Sequence, residues 1–177
     1  APSPRQGHAA ILSKCDGGTD QQWQFVSPDT GAALVQPPLD TSVHVRNQAT
    51  GKLLDVPRCE RAAEPYGPGP VIECGTGSNS SCGDANQLWQ FHANGTITTN
   101  VDGQCINAYG GTQKLQTFSC ARQGTAANGL FSVSSSGEIK SKDGGPYSAE
   151  ARPFVFCHSS LHSSEKETCF SSEQVDV

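Results

Sequence analysis

The carboxylate of Asp55 is the side chain whose placement in this sequence most strongly suggests chemistry. It lies in the stretch Leu-Leu-Asp-Val at residues 53–56, among apolar neighbours. A carboxylate in such surroundings costs free energy unless it accepts hydrogen bonds from backbone donors or lies at the rim of a binding site. The sequence leaves both interpretations open.

Motifs for catalysis and for metal binding are weak. The sequence has no Gly-x-Ser-x-Gly, no His-Glu-x-x-His and no phosphate-binding glycine loop. A glycosidase would need two carboxylates about 5 to 10 Å apart, but the acidic residues fall mostly on predicted loops. The segment 157–169 holds two cysteines and two histidines that could bind Zn²⁺, although a disulfide loop with two solvated histidines suits the chain better. We expect no enzyme activity from this chain alone, no cofactor and no metal.

Residues 84–97 predict a strand, a tight turn and a second strand. Elements of this kind would have to hold side chains such as Asp55 in position. Trp89 and Phe91 alternate with polar residues, so both fall on one face of a strand. The Asn94-Gly95 pair that follows is the commonest two-residue hairpin turn. The segment therefore predicts a β-hairpin.

The same pattern occurs at residues 20–31 and, without its Gln and Trp, at residues 128–139. A repeat this short cannot bury its own apolar face, so three copies must share one core. The Gln-x-Trp motifs at residues 21–23 and 87–89 lie before glycine turns and resemble the ricin-type lectin repeat. The resemblance implies an all-β fold, a β-trefoil of three pseudo-repeats with about 12 strands, whose relatives bind sugars.

The three aromatic residues of the repeats are expected in the core, at the pseudo-threefold axis. They are Trp23, Trp89 and Phe131.

We predict one domain over residues 1–177. Its repeats fall at roughly 8–41, 42–102 and 103–145, with a closing segment at 146–177. The first repeat lacks an opening strand. A strand between residues 147 and 157 would complete a trefoil, so we predict that it pairs beside the first repeat; the alternative is a truncated repeat. The absence of an initiator Met and of a signal-like segment indicates a processed product or an excised module.

The resemblance also assigns candidate sugar-binding residues. In the family, the Asp of the opening strand, an aromatic residue two positions before the second Cys, and the amide before Gln-x-Trp contact the sugar. In the second repeat these positions imply Asp55, Asn86 and Gln87. Ile72 falls at the aromatic position, so the sugar ring would have to stack on Tyr66.

In the third repeat the resemblance implies Phe118 as the aromatic residue and Asn128 as the amide. Asn107 replaces the Asp, and weaker binding is expected because the charge-assisted hydrogen bond is lost. The first repeat keeps Asp20 but has Ser13 at the aromatic position. No repeat keeps the full set.

Eight cysteines and two glycosylation signals, at Asn79 and Asn94, indicate an oxidising secretory compartment, either secreted or lysosomal or vacuolar. The family positions imply a disulfide between Cys105 and Cys120. Neighbouring strands bring Cα atoms within the range of about 4.4 to 6.8 Å that a disulfide needs. Connectivity of the other cysteines stays open, and Cys74 would pair with one in the flanking insertions.

Charge and composition limit the partners. The net charge of −5 and the lack of a Lys/Arg cluster argue against nucleic acid. No apolar run approaches the roughly 20 residues of a membrane helix. The resemblance implies a lectin module for galactose or N-acetylgalactosamine glycans, within a larger secreted glycosidase or toxin-like protein. The alternatives are a trefoil that packs on a catalytic domain or chain without binding sugar, and a less favoured protease inhibitor acting through residues 57–69.

Overall fold

The computed structural model describes most of the three repeats. These residues are 5–14, 18–57, 69–74, 83–108, 115–123, 127–142, 154–158 and 167–169. Tyr66 and Asn79, with most of the two insertions of the second repeat, lie outside them.

Short strands joined by turns make up nearly all the regular structure of these residues, which confirms the all-β prediction. The strands are β1 (Arg5–Lys14), β2 (Trp23–Val26), β3 (Ala33–Leu34), β4 (Ser42–Asn47), β5 (Leu53–Asp55), β6 (Gly69–Pro70), β7 (Ile72–Cys74), β8 (Trp89–Phe91), β9 (Ile97–Thr99), β10 (Cys105–Ala108), β11 (Leu115–Phe118), β12 (Phe131–Val133), β13 (Ile139–Ser141), β14 (Phe154–His158) and β15 (Glu167–Cys169). The helical elements that lie wholly within the described residues are α1 (Cys120–Gln123) and the 3₁₀ turns Thr19–Gln21, Ala85–Gln87 and Ala127–Gly129. No helix in this part of the chain has the length and apolar character needed to cross a bilayer.

Antiparallel pairing repeats three times along the chain. Each unit contains one central antiparallel pair of strands. This pair is β14–β1 in the first unit, β5–β7 in the second and β10–β11 in the third. The strand that follows each of these pairs forms a further antiparallel pair: β2–β4, β8–β9 and β12–β13. Twelve of the described strands follow this β-trefoil pattern, and β3, β6 and β15 pair additionally with β2, β11 and β1.

The first unit is completed by a strand from late in the sequence. Along the β1–β14 ladder, Ala10 lies opposite His158 and Lys14 lies opposite Phe154. β14 in turn pairs with β13 through Lys140 and Val155. The predicted closure of the first repeat is therefore confirmed. β1 begins at Arg5, and its first residues pair with β15.

The aromatic residues of the three repeats lie in one shared core. Trp23, Trp89 and Phe131 are between 0 and 4% exposed, as the sequence predicts. The indole Nε1–H of Trp89 donates to the Leu54 carbonyl at 3.0 Å, so this ring also ties β8 to β5. The polar edge of a buried Trp is thereby satisfied.

We expect Trp89→Phe to lower the free energy of unfolding by about 2 kcal/mol. The change leaves the buried Leu54 carbonyl without its donor and removes one ring from the core. Phe131 fills the equivalent place in the third unit, so the backbone accommodates Phe. Urea denaturation measures the change, with the exposed strand residue Ser132→Ala as the control. Equal losses for both variants would contradict the assigned role of the indole.

The turn between β12 and β13 contacts the start of β2 at very short range. The Trp23 N–H donates to the Gly137 carbonyl at 3.1 Å. Gly137 has φ +85°, and a Cβ built on it would overlap the backbone oxygen of Trp23. In the preceding unit, the Phe131 N–H donates to the Gly95 carbonyl at 2.7 Å. In each of these two hairpins a turn glycine therefore holds an aromatic strand of another unit in place.

The chain leaves the β10–β11 ladder just before the second cysteine of the third unit. β11 ends at Phe118 and α1 begins at Cys120. Phe118 lies opposite Cys105, the first residue of β10, so no strand partner is left for the residues after it. The predicted Cys105–Cys120 disulfide is present and spans this end of the hairpin, with a Cα–Cα distance of 5.0 Å.

Candidate functional site

The 3₁₀ turn before β8 places two amide side chains against the end of β5. Its backbone closes through the Gln87 N–H, which donates to the Asp84 carbonyl at 2.9 Å. The Val56 N–H donates to the Asn86 carbonyl at 2.8 Å, which fixes the turn to the residue that follows Asp55. These backbone hydrogen bonds therefore hold Asn86 and Gln87 beside the Asp55 carboxylate.

Asp55 accepts three side-chain hydrogen bonds from these amides. The Asn86 Nδ2–H group lies 3.1 Å from Oδ1 and 3.0 Å from Oδ2 of Asp55, and the Gln87 Nε2–H group lies 2.6 Å from Oδ2. All three residues are buried, with 3% of Asp55, 4% of Asn86 and 3% of Gln87 exposed. The buried Asp55 carboxylate therefore receives its hydrogen bonds from the side-chain amides of Asn86 and Gln87.

Burial changes the acidity of this carboxyl group. Desolvation raises the pKa of Asp55 from 3.8 to about 6, and the hydrogen bonds from Gln87 and Asn86 oppose that rise without cancelling it. The charged form is therefore destabilised by lack of water and stabilised by the amides. The group changes charge near pH 6.

The register of the strands corrects one assignment in the second unit. Leu53 lies opposite Cys74, and in the third unit Cys105 lies opposite Phe118. Cys74 therefore occupies the position of Phe118, and the expectation that Ile72 stands there is wrong. The expectation counted back from Cys74 as though it matched Cys120, but Cys74 lies within the ladder and Cys120 lies beyond it.

The third unit brings a second set of polar residues together. The Asn128 Nδ2–H group donates to Oδ1 of the buried Asn107 at 3.0 Å. Phe118 lies two residues from Gln116, which is directly opposite Asn107, so the three residues share one face of the β10–β11 hairpin. Phe118, Gln116 and Asn128 are half-buried.

Gln116 is a candidate that sequence reasoning missed. Its Oε1 atom is buried and has no hydrogen-bond partner among the described residues. A buried acceptor in this state favours a ligand or a water that supplies a donor. The available signal was its position two residues before Phe118, which places both on the same strand face.

The first unit departs furthest from the pattern. Val155 lies opposite Ser13, as Leu53 lies opposite Cys74, so Ser13 stands at the aromatic position as expected. The same register places Cys157 at the position of Asp55. This unit therefore has neither an aromatic residue nor an acid at those two places.

Metal binding finds no support in the described part of the chain. No group of three or more His, Cys, Asp or Glu residues there could hold an ion. The side chains of segment 157–169, which includes the Cys and His pattern noted above, lie outside what the structure describes.

Three units of strands around shared aromatic residues, with acid and amide side chains held beside the Gln-x-Trp turn, define a β-trefoil of lectin type. The sequence profile of the family described as ricin-type beta-trefoil lectin domain-like matches residues 19–118, more than half of the chain. The protein belongs to this family. Membership indicates a carbohydrate-binding module, and such domains are generally non-catalytic. A comparison with curated proteins found no match.

Proposed function

We propose that the protein is a lectin module that binds glycans ending in galactose or N-acetylgalactosamine, with the third unit as its most accessible site. The supporting observation is the shared face of Phe118, Gln116 and Asn107, backed by Asn128. A half-buried aromatic ring suits the apolar C–H face of a sugar. The half-buried amides of Gln116 and Asn128, beside Asn107, suit adjacent hydroxyl groups.

The second unit supports a stronger but less accessible site. Asp55 offers an acceptor that becomes charged near pH 6, and charged acceptors bind hydroxyl donors more strongly than amides do. Its cluster is buried, so a sugar would reach Asp55 less readily than it would reach the half-buried residues of the third unit. Tyr66 remains the proposed stacking residue here.

A structural trefoil is the second candidate function. Asp55, Asn86 and Gln87 already satisfy one another and are buried, which favours a role in holding β5 to the turn before β8. On this hypothesis the domain packs on a catalytic domain or chain and binds no sugar. Nothing in the described residues favours a protease inhibitor.

The setting that we propose is the secretory pathway, within a larger secreted glycosidase or toxin-like protein. The Cys105–Cys120 disulfide suits an oxidising compartment. Asn94 is exposed on the β8–β9 turn, where a glycan could be attached. A lectin module linked to a catalytic domain would raise the local concentration of its glycan substrate.

The test is a glycan array with the folded, oxidised chain, followed by titration with galactose and N-acetylgalactosamine. Phe118→Ala and Asn107→Ala are each expected to weaken binding by roughly tenfold, the effect of losing about 1.4 kcal/mol of contact energy. Ser132→Ala, an exposed change elsewhere, is the control, and melting temperatures show that each variant is folded.

The second unit is tested in parallel by Asp55→Ala. Loss of binding in this variant alone, with an unchanged melting temperature, would move the working site to the second unit. A blank array from well-folded protein would contradict the lectin proposal and favour the structural trefoil.

A further inference from the structure

The turn between β8 and β9 presents the Asn94-Gly95 pair to solvent. The His92 N–H donates to the Thr96 carbonyl at 3.0 Å and the Gly95 N–H donates to the His92 carbonyl at 2.9 Å, which closes a tight loop. Asn94 is exposed at its tip, and Gly95 has φ +92°. The residue after Asn94 therefore has no side chain to hinder an approach to the Asn94 amide.

The two ends of the Asn94 amide are in different environments. Oδ1 accepts hydrogen bonds from the Thr96 N–H at 2.9 Å and from the Thr96 hydroxyl at 2.8 Å. Nδ2 has no hydrogen-bond partner among the described residues. Donors fixed on a carbonyl oxygen stabilise the negative charge that develops there when a nucleophile attacks the carbon.

We propose that Asn94 is a site of spontaneous deamidation, promoted by Thr96. The Gly95 backbone nitrogen loses its proton to solvent and bonds to Cγ of Asn94. The Cγ–Nδ2 bond then breaks, Nδ2 takes up a proton, and ammonia leaves a five-membered succinimide. Water opens this ring at either carbonyl and gives aspartate or isoaspartate. The steps consume one water and release one ammonia, with no oxidant or reductant.

Hydrogen bonds of Gly95 oppose the reaction. The Gly95 N–H must leave the His92 carbonyl before its nitrogen can attack. The Gly95 carbonyl is also held by the Phe131 N–H at 2.7 Å. The turn must therefore open locally before the attack, and these bonds slow the reaction without preventing it.

The chain contains a matched internal control, the Asn128-Gly129 pair. It has the same dipeptide sequence but lies in the 3₁₀ turn Ala127–Gly129, with Gly129 buried. The Asn128 Nδ2–H group donates to Asn107, which holds the leaving group inside the site. We therefore expect Asn128 to react much more slowly than Asn94.

Deamidation would change the molecule in three ways. It adds one negative charge at the turn, and it removes the amide that N-glycosylation of Asn94 would need. The isoaspartate product also lengthens the backbone by one atom just before Gly95, whose carbonyl accepts the Phe131 N–H at 2.7 Å. That contact between hairpins would be weakened.

The experiment follows the full-length, oxidised, unglycosylated chain during incubation in mildly alkaline buffer. Peptide mapping by mass spectrometry measures acid formed at Asn94 and at Asn128. We expect Asn94 to convert at least roughly tenfold faster, a difference of one decade in rate. In denaturant, where both pairs lose their structure, the two rates should become similar. Equal rates in the folded protein would overturn the proposal.

The role of Thr96 is tested by Thr96→Val, which keeps the shape but removes the hydroxyl donor. We expect a several-fold slower conversion at Asn94 and no change at Asn128. Thr96→Ser restores the hydroxyl and should restore the rate. An unchanged Asn94 rate in a folded Thr96→Val variant would contradict the promotion by Thr96. The ratio of the deamidation rates at Asn94 and Asn128 is measured in the unmodified protein, so this test does not require that any variant folds.

Discussion

Gly137→Ala is expected to lower the free energy of unfolding by about 4 kcal/mol. Ala at φ +85° costs about 1 to 2 kcal/mol in backbone strain. Its Cβ also overlaps the Trp23 carbonyl oxygen, which belongs to the backbone and cannot rotate away. The turn must therefore shift, which strains the packing and weakens the hydrogen bond from the Trp23 N–H.

Gly31→Ala is the matched control for this prediction. Gly31 has a similar φ of +67°, but a Cβ there meets no atom within 4 Å. Only the strain of the backbone applies, so a loss of about 1 kcal/mol is expected. Chemical denaturation of both variants separates the two effects. Similar losses at both glycines would show that the contact with Trp23 contributes nothing.

Asp55→Asn is expected to remove a pH dependence of stability worth about 3 kcal/mol. In the folded state burial raises the pKa of Asp55 from 3.8 to about 6, so the folded protein holds this proton more tightly than the unfolded chain does. The resulting stability is fully present below pH 3.8 and is lost as the pH rises through about 6. At about 1.36 kcal/mol per pKa unit, the shift corresponds to about 3 kcal/mol.

The third unit supplies both the precedent and the control for this change. Asn107 already pairs there with Asn128, so an amide at the equivalent position is compatible with the fold. The reverse substitution Asn107→Asp should introduce a second fall of stability over the same pH range. Urea denaturation at a series of pH values measures each curve. Parallel curves for the unmodified protein and Asp55→Asn would exclude Asp55 as the titrating group.

Local patterns were sufficient to predict the elements whose partners are near in sequence. Trp89 and Phe91 alternate with polar residues and are followed by Asn94-Gly95, so the β8–β9 hairpin follows from side-chain alternation and turn chemistry. The pairing of β14 with β1 has no local signal and could be inferred only from the number of strands that the first repeat lacked.

Details of the candidate site depend on register and on partners, which sequence does not contain. The motif placed Ile72 at the aromatic position because it assumed that Cys74 matches Cys120, whereas the ladder sets Cys74 opposite Leu53. The alternation of side chains along a strand could place Gln116 on the same face as Phe118. It could not show that the Gln116 side-chain oxygen lacks a donor among the described residues. The burial of Asp55 depends on residues distant in sequence, so its raised pKa could not be predicted.

The ladder between β1 and β14 also determines the order in which the trefoil can fold. Lys14 pairs with Phe154, whereas β8 and β9 are joined by a turn of a few residues. Contacts between residues so far apart in sequence form slowly, because a long loop must close before they contribute. During synthesis the second and third units can assemble while β1 pairs with β7 but still lacks β14. Until β14 emerges, the first unit exposes an unpaired edge, and at high concentration this edge favours exchange of β14 between two copies of the chain.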